Sequence, residues 1–233
     1  MSMQIMIQAC AHAGTAEAFK AWCLETLGPA LLARAPAIER LIVNVAVPAP
    51  TQSPYGSAES LQGDEFDVVL QVWVPRLQKL VSAWRPVAKE FAAKTRVHHV
   101  YRLAETEVLY RPEQLQGTPT PGIKLMRGLY LYDDLPAAAA QRIWAHHSGL
   151  AVKVHIGLAR YARHWVDEVL TPGSPTIRGI SDLHFPDEES MRERYFDSPR
   201  GRDEILHDLG HFICGGTQRF YGREHILIPR QDK

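Results

Sequence analysis

Two stretches of this chain carry the same pattern. Near Trp22, and again near Trp144, a tryptophan-bearing helical segment leads into a strand, a second strand, a second helix and a last strand. AIERLIVNVAV (37–47) lies over GLARYARHWVD (157–167), which sets Arg40 on Arg160 and Asn44 on His164. Downstream, DVVLQVWVPRLQKL (67–80) falls on RGISDLHFPDEESM (178–191), and VYRLAETEVLYRP (100–112) on FYGREHILIPR (220–230). A repeat of about 110 residues is too long for a solenoid unit and has the size of a small domain. A chain built this way is expected to fold as two copies of one unit, and differences between the copies point to where function sits.

The boundary is legible in RPEQLQGTPTPG (111–122), which holds three prolines and almost no apolar residues and reads as a connector. The expected organisation is a first unit over 1–111, a linker over 112–122 and a second unit over 123–233. The periodicity predicts strand 3–9, helix 16–34, strand 38–47, strand 66–74, helix 76–93 and strand 97–109. After the linker it predicts strand 123–131, helix 136–151, strand 157–166, strand 177–185, helix 187–209 and strand 212–228. Asp134 is the expected N-cap of the helix that follows Pro136. Pro86 predicts a kink or break in its helix, and Asp197-Ser198-Pro199 an interruption in 187–209. The polar stretch 48–65 has no equal in the second half and is a candidate lid.

Each unit therefore reads β-α-β-β-α-β, a split βαβ or ferredoxin-like arrangement. The fold class is α+β: two tandem ferredoxin-like units packed sheet to sheet as an α+β barrel. Packing two copies together covers the sheet face that helices leave bare.

Composition narrows function by exclusion. With 26 basic and 26 acidic residues the formal net charge is zero, so the basic surface that nucleic acid requires is not expected. No apolar run approaches the ~20 residues that span a bilayer, so no membrane partner is expected. Cys10, Cys23 and Cys214 are an odd, widely spaced set without a CxxC pair. They read as reduced thiols of a cytoplasmic protein. Dinucleotide, Walker and nucleophile-elbow motifs are missing from the sequence.

Strand alternation sorts side chains onto two faces. In ISDLHF (180–185), Leu183 and Phe185 suit the helix side, which sends Asp182 and His184 into the space between the sheets. Gln71 and Trp73 are their first-unit equivalents. In 158–165, Arg160 and His164 alternate with Tyr161 and Trp165, and periodicity leaves the inward set open. The segment WAHHSGL (144–150) places His146 beside His147. Neighbours on a helix point about 100° apart, so one of the two at most enters a cavity. Imidazole titrates near neutral pH and serves as general acid or base. Glu25 stands three residues after Trp22 where His147 stands three after Trp144, an asymmetry that fits chemistry kept in one half.

The second half resembles the EthD-like family of the dimeric α+β barrel superfamily. The resemblance rests on IKLMRGLYLYDDLP (123–136), Trp144…His147-Ser-Gly-Leu150, GLARYARHWV (157–166) and GISDLHFPDEESM (179–191). It covers roughly 122–231 well and 1–110 more weakly. It implies a ferredoxin-like fold in which the tandem closes one barrel within a single chain, with Asp182 at the family's common carboxylate position. His184 replaces a usual aromatic, and His164 stands near a usual Asn.

The function these readings favour is a cofactor-free enzyme of isomerase, cyclase or lyase type. It performs general acid/base chemistry on an apolar or aromatic oxygenated small molecule in the barrel cavity. His147, Asp182 and His184 are the candidate catalytic residues. Arg160, Tyr161 and His164 are the candidate polar contacts to substrate, and Trp73, Trp144 and Tyr132 the apolar wall. Asp182 is expected to orient His147 or His184. The alternatives are a non-catalytic binder of a hydrophobic metabolite, a cofactor-independent oxygenase, or a haem or metal enzyme. The last would draw on His147, His164, His184 and Asp182, though no tight ligand spacing exists and no metal or organic cofactor is expected. A homodimer is compatible with the fold.

Overall fold

The computed structural model describes residues 3–50, 66–214 and 218–228. Among these, the first repeat supplies β1 (Met3–Ala11), α1 (Ala16–Trp22), α2 (Gly28–Arg34), β2 (Arg40–Ala46), β3 (Val68–Val74), α3 (Leu77–Lys94) and β4 (Thr95–Tyr110). The second supplies β5 (Ile123–Leu129), α4 (Ala137–Val154), β6 (Arg160–Val169), β7 (Gly179–Phe185), α5 (Glu188–Glu193), α6 (Pro199–Leu209) and β8 (Gln218–Ile228). Most of the candidate lid, 51–65, lies outside the described residues. No helix among the described residues is long and apolar enough to cross a membrane.

The strands form one closed antiparallel barrel in the order β1-β3-β2-β8-β5-β7-β6-β4. The first four strands and the last four have the same internal order, β4-β1-β3-β2 and β8-β5-β7-β6. They join edge to edge through the ladders β2–β8 and β4–β6, so no strand edge is left open. The chain is α+β, as expected, and the inner faces of the two sheets meet across the lumen.

Register confirms the repeat and corrects it in one place. Arg40 pairs with Trp73 and Ile42 with Gln71, while Arg160 pairs with His184 and Ala162 with Asp182. The last strands are offset by one residue from the alignment expected above. Met6 pairs with Tyr101 and Met126 with Phe220, which sets Glu105 on Glu224.

Alternation then builds three apolar layers. Phe19, Leu31, Leu80 and Phe91 cover Ile5, Val43, Leu70 and Val72 on the outer face of the first sheet. Ala151, Met191, Tyr195 and Ile205 cover Leu125, Tyr161 and Phe185 on the second. Met6, Tyr101, Met126, Ile180 and Phe220 meet in the lumen.

Several local expectations change. The helix expected over 16–34 is divided by a π-helical turn at Cys23–Leu27, where the Gly28 N–H bonds the Cys23 carbonyl. Pro29 follows with no N–H to give. Helix α3 runs without a break through Pro86, because the carbonyl that the proline leaves unbonded belongs to Ser82 on the exposed side. Asp134 does not cap α4; Pro136 is its N-cap and no side chain bonds there. The interruption at 197–199 is present, with Asp187 capping α5 and Ser198 capping α6 through the Gly201 N–H. β8 starts at Gln218 and not at 212, since Phe212 belongs to the turn that ends α6 and packs with Trp144.

Candidate functional site

The expected site residues separate onto two sides of the second sheet. Arg160, His164, Asp182 and His184 face the lumen; Tyr161, Trp165 and Arg163 face the helices. His147 and Trp144 lie on α4, on the helix side. Asp182 therefore cannot orient His147, because the sheet stands between them.

The lumen group is a buried charge network. Lys124 Nζ is 2.5 Å from Glu224 and 3.3 Å from Asp182, with none of its side chain exposed. Arg160 forms an ion pair with Glu224 and donates to Nδ1 of His184 at 3.4 Å. Nε2 of His184 donates to the Pro121 carbonyl at 2.9 Å, which makes this imidazole neutral. Burial, with Arg160 beside it, pushes it down to about 4. Nδ1 of His164 donates to Gln4 at 2.8 Å, and its Nε2 lies 3.6 Å from Asp182. Burial would raise the Asp182 carboxyl, but Lys124 and the neighbouring His164 and Arg160 overcome it and hold it below the usual carboxylate range. Gln71 bridges the two repeats, donating to Asp182 and accepting from Lys124.

These side chains pack against one another in the lumen and satisfy many of each other's polar groups, while Nε2 of His164 and Oδ1 of Asp182 have no hydrogen-bond partner among the described residues. An eight-stranded barrel is narrow enough for side chains to occupy its interior, and these residues bond to one another there. The first-repeat counterpart is milder. Glu105 lies 3.9 Å from Arg40 and accepts from Trp73 Nε1 at 2.7 Å, while Arg40 stacks on the Trp73 ring. Trp73 is thus a member of this lumen cluster.

Space opens on the other side of the second sheet, beneath α4 and the end of α6. The cavity is bounded by Arg127, Ser181 and Tyr161 from the strands, His147 and Trp144 from α4, and Phe212 after α6, among others. About 20 Å³ is open to the centre of a water-sized sphere, room for about one or two waters. A haem does not fit this space. The four residues considered as metal ligands do not converge, since His147 is separated from the other three.

His147 is buried and His146 exposed, which settles which of the pair turns inward. Nδ1 of His147 donates to the Asp208 carboxylate at 2.6 Å. Burial lowers its pKa from the ordinary value, and the Asp208 contact works against that shift. The neutral ring then carries its lone pair on Nε2. Trp144 packs over Gly179, where an added Cβ would sit 2.4 Å from the indole ring. Its Nε1 donates to the Tyr161 hydroxyl, which also contacts Ser148. Tyr132, expected in the wall, is 40% exposed and donates to the Gly210 carbonyl; it stands outside both groups.

Asp208 is the residue that the sequence reading missed, with Lys124, Glu224 and Arg127. Asp208 sits in an amphipathic helix among other acids, and nothing in its spacing joins it to a residue 61 positions earlier. Glu224 had a signal, visible once the last strands are aligned correctly on Glu105.

No family model matches the chain, and no curated protein matches it. Solved structures do. An anthrone oxidase-like protein superposes with a TM-score of 0.66 at 7% identity, over 99% of this chain and 95% of that one. The shared fold is a closed α+β barrel built of ferredoxin-like units. A candidate monooxygenase from Fusobacterium nucleatum subsp. nucleatum ATCC 25586 superposes at 0.58, with 7% identity, over 97% and 92% of the two chains. Chlorite dismutase from Candidatus Nitrospira defluvii in complex with imidazole superposes at 0.54, with 8% identity, over 96% and 90%. Identities this low establish the barrel and leave the chemistry to the side chains.

Proposed function

We propose that this α+β barrel is a small-molecule enzyme whose general base is His147, oriented by Asp208, in the cavity between the second sheet and helices α4 and α6. The observation that carries the reading is the 2.6 Å contact between Nδ1 of His147 and Asp208 at the wall of that cavity. A carboxylate on Nδ1 fixes the tautomer, leaves Nε2 to accept a proton, and stabilises the imidazolium that results. The substrate is an apolar or aromatic oxygenated molecule with an acidic C–H, and no organic cofactor takes part. The cavity as it stands has room for about one or two waters, so the proposal requires the α6 side of its wall, Leu209 and Phe212, to open for an aromatic ring. The lumen network, with Asp182 and His184, holds the barrel together.

The likeness to an anthrone oxidase-like protein favours one version of this chemistry. Removing a proton from an activated carbon of an anthrone leaves an electron-rich enolate that dioxygen attacks directly, giving anthraquinone and water. Division at 112–122, EthD-like kinship and a cytoplasmic site belong to the same proposal.

The test is hydrogen–deuterium exchange at the acidic carbon of anthrone and related enolisable aryl ketones in D₂O without oxygen, followed by NMR. The wild type accelerates exchange for at least one member, and His147→Ala loses about 10²- to 10⁴-fold of that rate. Equal rates in folded wild type and His147→Ala would sink the reading.

A further inference from the structure

The cavity beside His147 has three kinds of wall. Its strand residues belong to β5, β6 and β7, each paired on both sides within the closed barrel. Trp144 and His147 belong to the 18-residue helix α4, and Trp144 is seated over Gly179 and bonded to Tyr161. Leu209 and Phe212 form the third wall, at the end of α6 and in the turn after it. The Phe212 ring centre lies 5.3 Å from that of His147, so this side chain stands over the base.

The third wall has the shallowest hold. Within α6 only Gly201 and Ile205 are buried, and Leu206 is 46% exposed. The turn after it is tied to the chain beyond β5 by an isolated bridge between Leu131 and Ile213. The Cys214 N–H donates to the Tyr130 carbonyl at 3.0 Å, and the Tyr132 N–H to the Phe212 carbonyl at 3.2 Å. Tyr132 adds a side-chain tie, its hydroxyl donating to the Gly210 carbonyl at 3.2 Å from the surface. Arg178 steadies the backbone behind it by donating to the Tyr132 and Leu135 carbonyls. Segments with few buried apolar contacts and solvent-exposed hydrogen bonds open locally, well before the whole molecule unfolds. Asp208, which holds Nδ1 of His147, stands just ahead of this turn on α6.

We propose that the turn 209–214 is the gate of the His147 cavity, latched by Tyr132, and that its closing returns Asp208 to the base. The opening that admits a ligand also releases the carboxylate from Nδ1, so the base is set only when the gate is shut. Tyr132 is thus a positioning residue that acts through the turn and Asp208. This rests on the cavity being the reaction site, but its test reads access to His147 without substrate or turnover. Absence of proton-exchange catalysis would sink the proposed reaction and leave the gate standing.

The folded protein is treated with diethyl pyrocarbonate at pH 7, and peptide mass spectrometry follows modification of each histidine. The reagent acylates a neutral imidazole, the form that burial favours for His147. His146, its exposed neighbour, is the internal control. In the wild type His147 reacts at least about tenfold more slowly than His146, at a rate that non-denaturing urea leaves nearly unchanged, as local opening requires. Tyr132→Phe, checked for folding by its thermal transition, removes one hydrogen bond and speeds His147 about fivefold with His146 unchanged. The Nδ1 proton of His147, followed by NMR, exchanges with water faster by the same factor. His147 reacting as fast as His146, reaction only in step with global unfolding, equal His147 rates in wild type and Tyr132→Phe, or a faster rate with Nδ1 exchange unmoved would each overturn the proposal. If Tyr132→Phe does not fold, the urea dependence in the wild type decides it.

Discussion

His147 and Asp208 are joined by one short contact, and the sign of its effect on pH dependence follows from the opposing causes. Burial lowers the His147 pKa and Asp208 raises it. Turnover that needs the neutral ring therefore rises with pH through a value below the ordinary 6.5 and is level above it. Removing the carboxylate with Asp208→Asn takes away the raising cause. The acidic limb of kcat/KM is expected to move to lower pH while the plateau falls, and a pH–rate profile of the two proteins checks this. An unmoved limb would mean that Asp208 has no hold on the base. Gly179 offers a second residue-scale expectation. Its missing Cβ makes room for Trp144, so Gly179→Ala forces the indole away and costs about 1–3 kcal/mol in a urea titration.

At the scale of elements, β5, β6, β7 and β8 of the second repeat share buried charges that their partners in the first repeat largely lack. Register places Lys124 opposite His184, as Gln4 lies opposite Trp73. Lys124→Gln therefore installs the first-repeat residue at this position. It leaves Asp182 and Glu224 buried with Arg160 as the remaining close cation of the network. The expected loss is about 3–5 kcal/mol by chemical denaturation. A change under about 1 kcal/mol would show that the carboxylates relax or take up protons at little cost.

The whole molecule should weaken in mild acid. His155 donates to the Tyr195 carbonyl and is buried, and burial pushes it down to about 4. Burial, aided by Arg160, does the same for His184. Both values lie below that of an unfolded histidine, so the unfolded chain takes up protons first as pH falls. Stability is fully present above about pH 6.5 and declines toward pH 4, by about 3 kcal/mol for each ring. Asp182 and Glu224, held low, extend the loss below that range. Thermal transitions at pH 7, 5.5 and 4.5 measure it, and a flat profile would show that these rings are hydrated.

The sequence alone determined the duplication, the order of elements in each half, and the inward direction of Asp182 and His184. These follow from periodicity, which local backbone geometry imposes. It could not say which face of the second sheet has room. Alternation divides side chains between two faces without weighing how each face is filled. Barrel closure set Lys124, Glu224 and Arg160 beside Asp182 in the lumen, while the cavity beside His147 lies under α4. Nor could it pair His147 with Asp208 or Tyr132 with the turn after α6, because helix packing and strand register decide such contacts. The duplication was legible because it is local pattern written twice; the site was not, because it is made by contacts between distant segments.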